Sequence, residues 1–126
     1  MTAAKRILVV DDSASVRRTV RDTLEQAGFV VLEAENGERA LRVLAEREPV
    51  DLLLVDVNMP IMDGYEVIRR TRAMSRYASM PIFVMTTEAG TKAVKEGKAA
   101  GANAWLLKPM KPDLLTKGIR TALGTA

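Results

Sequence analysis

The sequence predicts an α/β protein in which five parallel strands alternate with five helices that cover both faces of the sheet. Two observations carry that expectation. Five short apolar, β-branched runs recur along the chain, each followed by a stretch in which apolar residues return at helical spacing. Three of the runs end in charge: Val9-Val10-Asp11-Asp12, Leu54-Val55-Asp56 and Leu106-Leu107-Lys108-Pro109. Parallel strands deliver their C-terminal ends to one edge, where ligands of such sheets bind, so these charges should meet. With 126 residues, the chain is expected to form one domain with a genuine core over 1–126, without a folded output domain.

The elements follow in order. Arg6 to Val10 reads as a central strand buried on both faces. From Ser15 to Ala27, Val16, Val20, Leu24 and Ala27 mark the inner face of a helix, with Ser13 or Ser15 as cap and Gly28 as stop. Phe29 to Ala34 is the second strand and Asn36-Gly37 a turn. Glu38 to Glu48 is a helix with Ala40, Leu41 and Leu44 inward, ended by Pro49. Asp51 to Val55 is the third strand. After Met62-Asp63-Gly64, a helix from about Tyr65 to Met74 turns Val67 and Ile68 to the sheet. Pro81 opens a fourth strand that runs to Thr86-Thr87. Thr91 to Ala100 is a weaker helix with Gly97 inside it, and Gly101-Ala102-Asn103 turns into the fifth strand, Ala104 to Leu107. Pro112 starts the last helix, in which Leu114, Leu115, Ile119 and Ala122 are expected inward.

Composition narrows the chemistry. No apolar segment approaches the roughly 20 residues that span a bilayer, and Met1 to Arg6 leads into a strand of five residues without the pattern of a signal peptide. A cytoplasmic location and no membrane insertion are the expectations. Without cysteine or histidine, thiolate sites, the usual zinc ligand and the usual general base are excluded, so any metal must be held by oxygen. The net charge of +3 is uninformative, because the acids of interest lie at strand ends and the arginines on helices. Arg17, Arg18 and Arg21, with Arg69, Arg70 and Arg72, would form basic patches for an acidic partner or, more blandly, solvated helix faces.

The gathered groups suit Mg²⁺ and a phosphoryl group. Mg²⁺ takes about six oxygens and keeps several waters, so one or two carboxylates, a carbonyl and the phosphate suffice. Asp12 and Asp56 would be direct ligands, Asp11 would act through a water, and the backbone carbonyl of Asn58 would complete the set. Asp56 would be the nucleophile that forms an acyl phosphate, Lys108 would neutralise one phosphoryl oxygen and Thr86 would hydrogen-bond another. Each residue alone has an ordinary explanation: Asp11 or Asp12 as a helix cap, Asp56 in a turn, Lys108 on the surface, Thr86 as a common strand residue. Their joint occurrence at successive strand ends makes the set specific.

These residues, with Met59-Pro60-Ile61-Met62-Asp63-Gly64 after the third strand, resemble the receiver domain of bacterial two-component response regulators from Lys5 to the last helix. The resemblance implies a single (βα)5, flavodoxin-like domain with strand order 2-1-3-4-5, phosphorylated at Asp56 by a histidine kinase. Within the family the chain is most similar to stand-alone CheY-type chemotaxis regulators, through Asn58, Thr86-Thr87-Glu88-Ala89 and Gly101-Ala102. Implied with it are Mg²⁺ or Mn²⁺ as cofactor, Trp105 as switch aromatic in place of the usual tyrosine or phenylalanine, and Asn58 and Glu88 as modulators of dephosphorylation rate. An indole is larger than those rings, so an inward rotamer competes with simple packing on the sheet edge.

The resulting expectation is a monomeric signalling protein, not an enzyme beyond its own phosphorylation and dephosphorylation. Its partners would be a CheA-like sensor histidine kinase and, through the fourth helix, fifth strand and fifth helix, a flagellar motor switch protein or another phosphotransfer protein. Lys92, Lys95 and Lys98 would make that surface basic; nucleic acid is not expected to bind. The alternatives are a phosphorelay intermediate or phosphate sink and, from another class, an aspartate-nucleophile phosphatase of the haloacid dehalogenase type. The latter has a second acid two positions after its nucleophile, where this chain has Asn58.

Overall fold

Strand β1 (Arg6–Val10) lies between β2 (Val30–Ala34) and β3 (Leu52–Val55), parallel to both, and β4 (Ile82–Thr86) and β5 (Ala104–Leu107) extend the sheet beyond β3. The order is β2-β1-β3-β4-β5, the expected flavodoxin-like arrangement with its switch in direction between β1 and β3. The computed structural model describes residues 4–124; residues 1–3, on which the signal-peptide reading partly rests, and 125–126 lie outside them.

Alternation along each strand divides the core in two. Ile7, Val9, Leu52, Leu54, Phe83 and Met85 pack beneath α1 (Ala14–Gln26) and α5 (Pro112–Leu123). Leu8, Val10, Leu53, Val55, Ile82 and Val84 pack beneath α2 (Gly37–Leu44), α3 (Gly64–Ala73) and α4 (Thr91–Ala100). Residues 7–10 and 52–55 are wholly buried because both sheet faces are covered, which is why they read as unbroken apolar runs.

Local signals set the helix starts. Ser13 Oγ accepts the Val16 N–H, Asn36 Oδ1 the Arg39 N–H and Asp63 Oδ1 the Glu66 N–H. Helix α2 is shorter than expected, ending at Leu44 rather than Glu48. Glu46 to Glu48 offer the core no apolar side chain, and the Glu46 and Arg47 carbonyls are taken by the Arg76 guanidinium, both at 2.6 Å. Arg76 belongs to a short 3-10 turn, Ser75–Tyr77, that the sequence did not suggest.

In α5 the inward stripe falls on Leu115, Ile119 and Leu123, one helical repeat apart. Leu114 and Ala122 are exposed, contrary to expectation. Leu114 lies about 100° round the helix from Leu115, enough to turn it outward. The suggested basic patches are largely internal pairs: Arg17 and Arg21 bond Glu33, Arg69 and Arg70 bond Glu66, and Arg72 bonds the Gly101 carbonyl and Asn103 Oδ1.

Candidate phosphoryl and metal site

Sheet register brings the acids together. Val10 pairs with Val55, so Asp11 and Asp56 leave adjacent strands at the same level, and the Asp56 N–H donates to the Val10 carbonyl at 3.0 Å. Thr86 pairs with Leu107, which places Lys108 one residue beyond it; the Lys108 N–H donates to the Thr86 carbonyl at 2.8 Å. Gly64 lets α3 close over the loop, since a Cβ there would stand 2.3 Å from the Asp56 carbonyl oxygen.

Asp11 and Asp56 are buried and Asp12 is exposed, yet each offers a carboxylate oxygen within 4.8 Å of the others'. Lys108 Nζ reaches Asp11 Oδ2 at 2.6 Å and Asp56 Oδ2 at 3.2 Å. The second oxygens are held by backbone: Ser13 N–H donates to Asp11 Oδ1 at 2.9 Å and Asn58 N–H to Asp56 Oδ1 at 3.1 Å. Burial works to lower the Lys108 pKa and is the largest single influence. The hydrogen bond and charge of Asp11, with the charge and hydrogen bond of Asp56, outweigh it and hold the ammonium above the ordinary lysine value.

This donor set fits a divalent cation. Three carboxylates against one ammonium leave two negative charges uncompensated, and one oxygen from each carboxylate lies within 4.8 Å of the others, against a span of ~4.2 Å across an octahedron of ~2.1 Å bonds. A carboxylate has about four lone-pair positions, so those already hydrogen-bonded keep room for a metal bond.

Thr86 is buried at the neighbouring strand end, and its Oγ1 accepts the Glu88 N–H at 3.2 Å. Asn58 and Glu88 are exposed on the loops after β3 and β4. Trp105 is half-buried on edge strand β5, stacked on Tyr65 with ring centroids 6.4 Å apart, and donates its Nε1–H to the Glu88 carbonyl at 3.0 Å. Burial, followed by the charges of Glu96, Glu88 and Asp63, raises the Tyr65 pKa. Sequence reasoning gave no role to Tyr65 and saw Arg17 only in a basic patch or solvated helix face, whereas its Nη1 donates to the Asp11 carbonyl at 2.6 Å; neither contact carried a local signal, because each is made across elements.

A model of the response regulator receiver domain matches residues 7–120. The chain belongs to that family. Among curated relatives, this receiver is 41% identical over 121 residues to a chemotaxis protein CheY homolog of Campylobacter jejuni, covering 95% of this chain and 93% of that protein. It is 38% identical over 121 residues to chemotaxis protein CheY1 of Helicobacter pylori, covering 95% and 98%. The crystallised chemotaxis protein CheY4 of Vibrio cholerae superposes with a TM-score of 0.92 at 40% identity, covering 96% of this chain and all of that one. The receiver is thus CheY-like in sequence and fold. No helix among its described residues is long and apolar enough to cross a membrane.

Proposed function

We propose that this receiver accepts a phosphoryl group on Asp56 from a sensor histidine kinase, with Mg²⁺ held by Asp11, Asp12, Asp56 and the Asn58 carbonyl. The observation that carries the reading is Lys108 bridging two buried carboxylates at 2.6 and 3.2 Å, a cation already beside Asp56. Bound Mg²⁺, or Mn²⁺ in its place, supplies charge neutralisation for the incoming phosphoryl oxygens. Asp56 is positioned by its Asn58 hydrogen bond so that one oxygen faces the site, and attacks phosphorus in line while the donor histidine leaves. Lys108 then exchanges a carboxylate partner for a phosphoryl oxygen. The Thr86 hydroxyl donates to another, giving up its place beside the Glu88 amide. Asn58 and Glu88, polar and exposed, flank the path of the water that later hydrolyses the acyl phosphate.

The output is phosphorylation-dependent binding by a monomeric, cytoplasmic receiver. Along α4 and β5 a groove of about 410 Å³ is lined by Gly90, Val94, Lys95, Lys98, Trp105 and Leu107, which combine apolar and basic side chains. Such a surface suits an acidic, partly apolar segment of a flagellar switch protein or another phosphotransfer protein. Labelling with acetyl phosphate in Mg²⁺ tests the core of the proposal: wild type is expected to take one phosphoryl group and Asp56→Asn none. Equal labelling of the two would remove Asp56 from the mechanism.

A further inference from the structure

The aromatic residue on β5 sits in a seat built by other elements. The benzo edge of Trp105 lies over Gly97 of α4, so closely that a Cβ on Gly97 would stand 2.6 Å from the indole Cζ3 and 3.0 Å from Cε3. Tyr65 stacks on the same indole with 25° between the planes, and its hydroxyl donates to the Ala93 carbonyl of α4 at 3.3 Å. Glycine is unfavourable inside a helix. Gly97 lacks the positive φ that would explain one, and its position is buried. What the missing Cβ provides here is room for the indole.

A second link joins this seat to the phosphoryl site. Glu88 donates its backbone N–H to Thr86 Oγ1 at 3.2 Å, and its carbonyl accepts the Trp105 Nε1–H at 3.0 Å. One residue therefore ties the hydroxyl at the site to the indole on α4. A threonine hydroxyl that turns toward a phosphoryl oxygen moves away from the Glu88 amide. The chain around Glu88 is then free to reorient, and the carbonyl that anchors the indole moves with it.

We infer that Gly97 is a positioning residue for signalling: it seats the Trp105 indole against α4, so that Thr86, acting through Glu88 and Trp105, sets the position of that helix. The inference rests on the reading of Asp56 as phospho-acceptor. It concerns this chain's pairing of an indole with a glycine, since the indole is a rigid bicycle that cannot absorb a 2.6 Å contact by bending its end.

Gly97→Ala in the full chain tests it, with Trp105 as the sole tryptophan. Resting emission should shift to the red and acrylamide quenching should rise at least twofold. In wild type, beryllofluoride with Mg²⁺, standing in for the phosphoryl group, should change amide hydrogen exchange across Thr91–Ala100 several-fold. In Gly97→Ala that dependence should vanish, while Asp56 labelling by acetyl phosphate stays within twofold. The double variant Gly97→Ala with Trp105→Phe, whose smaller ring needs no seat, should restore the dependence. Wild-type emission and quenching in Gly97→Ala, an unchanged beryllofluoride response, lost labelling, or no rescue by the double variant would each overturn the proposal. If wild type itself takes no label, the phospho-acceptor reading fails, and the emission and quenching comparison still decides whether Gly97 seats the indole.

Discussion

Lys108 Nζ lies 2.6 Å from Asp11 Oδ2, closer than its 3.2 Å approach to Asp56. The resting ammonium is thus closest to one carboxylate of the acidic cluster. Lys108→Met would leave two buried carboxylates without their counter-charge. Without divalent cation it should lower the unfolding free energy by roughly 3 kcal/mol. Mg²⁺ should then bind more tightly than in wild type and recover much of that loss, because no ammonium competes for the cluster. Urea unfolding with and without Mg²⁺ and direct Mg²⁺ titration check both parts. Unchanged Mg²⁺ affinity would mean that the lysine charge does not act on the cation site.

The phosphorylated form should be short-lived, because Asn58 and Glu88, two residues beyond Asp56 and Thr86 respectively, are exposed and small or polar enough to admit water. Asn58→Arg should shield the acyl phosphate and slow its loss, tenfold for about every 1.4 kcal/mol added to the barrier. Phosphate release in Mg²⁺ gives the measurement. A wild type that holds its phosphate for hours, with no effect of Asn58→Arg, would point instead to a phosphorelay intermediate.

Ile61 has φ of 73° and a fully exposed side chain, with the Met62 N–H donating back to the Pro60 carbonyl at 2.8 Å. That hydrogen bond closes a γ-turn in which a β-branched residue is strained. Ile61→Gly, which has no Cβ to strain at positive φ and loses no contact with the core, should stabilise the protein by up to about 1 kcal/mol. The urea midpoint should rise at constant slope.

Glu33 links α1 to the edge strand β2. A hydrogen bond from Arg21, opposed by burial and reinforced by Arg17, lowers its pKa below the ordinary glutamate value. Its contribution to stability is therefore complete above the unfolded value of about 4.3 and is lost as pH falls through the lower folded value. Glu33→Gln should be less stable than wild type at neutral pH, and the gap should close as the solution is acidified below the unfolded value. Urea midpoints across that range measure it; a constant gap would assign the effect to packing rather than to charge.

Much of the site was legible because its parts are local. Asp11, Asp12, Asp56, Thr86 and Lys108 each stand where an apolar run ends, and strand periodicity is written in a few neighbouring residues. Gly97 was visible as a helix-weakening residue, but its purpose depends on an indole eight positions along the chain and on another element. Arg17 and Arg21 looked like a patch for a partner because Glu33, which pairs with both, lies in a different element.

The sequence by itself determined the alternation of strands and helices, the serine cap of the first helix, and the charges that surface at the sheet's C-terminal edge, since propensity and periodicity act over a few residues. Tertiary structure alone decided that Val10 and Val55 pair in register, so that Asp11 and Asp56 share one lysine. It also decided that α5 turns Leu115 rather than Leu114 inward, and that Trp105 rests between Gly97 and Tyr65. These outcomes depend on where distant segments cross, which is fixed only when the two faces of the sheet are packed.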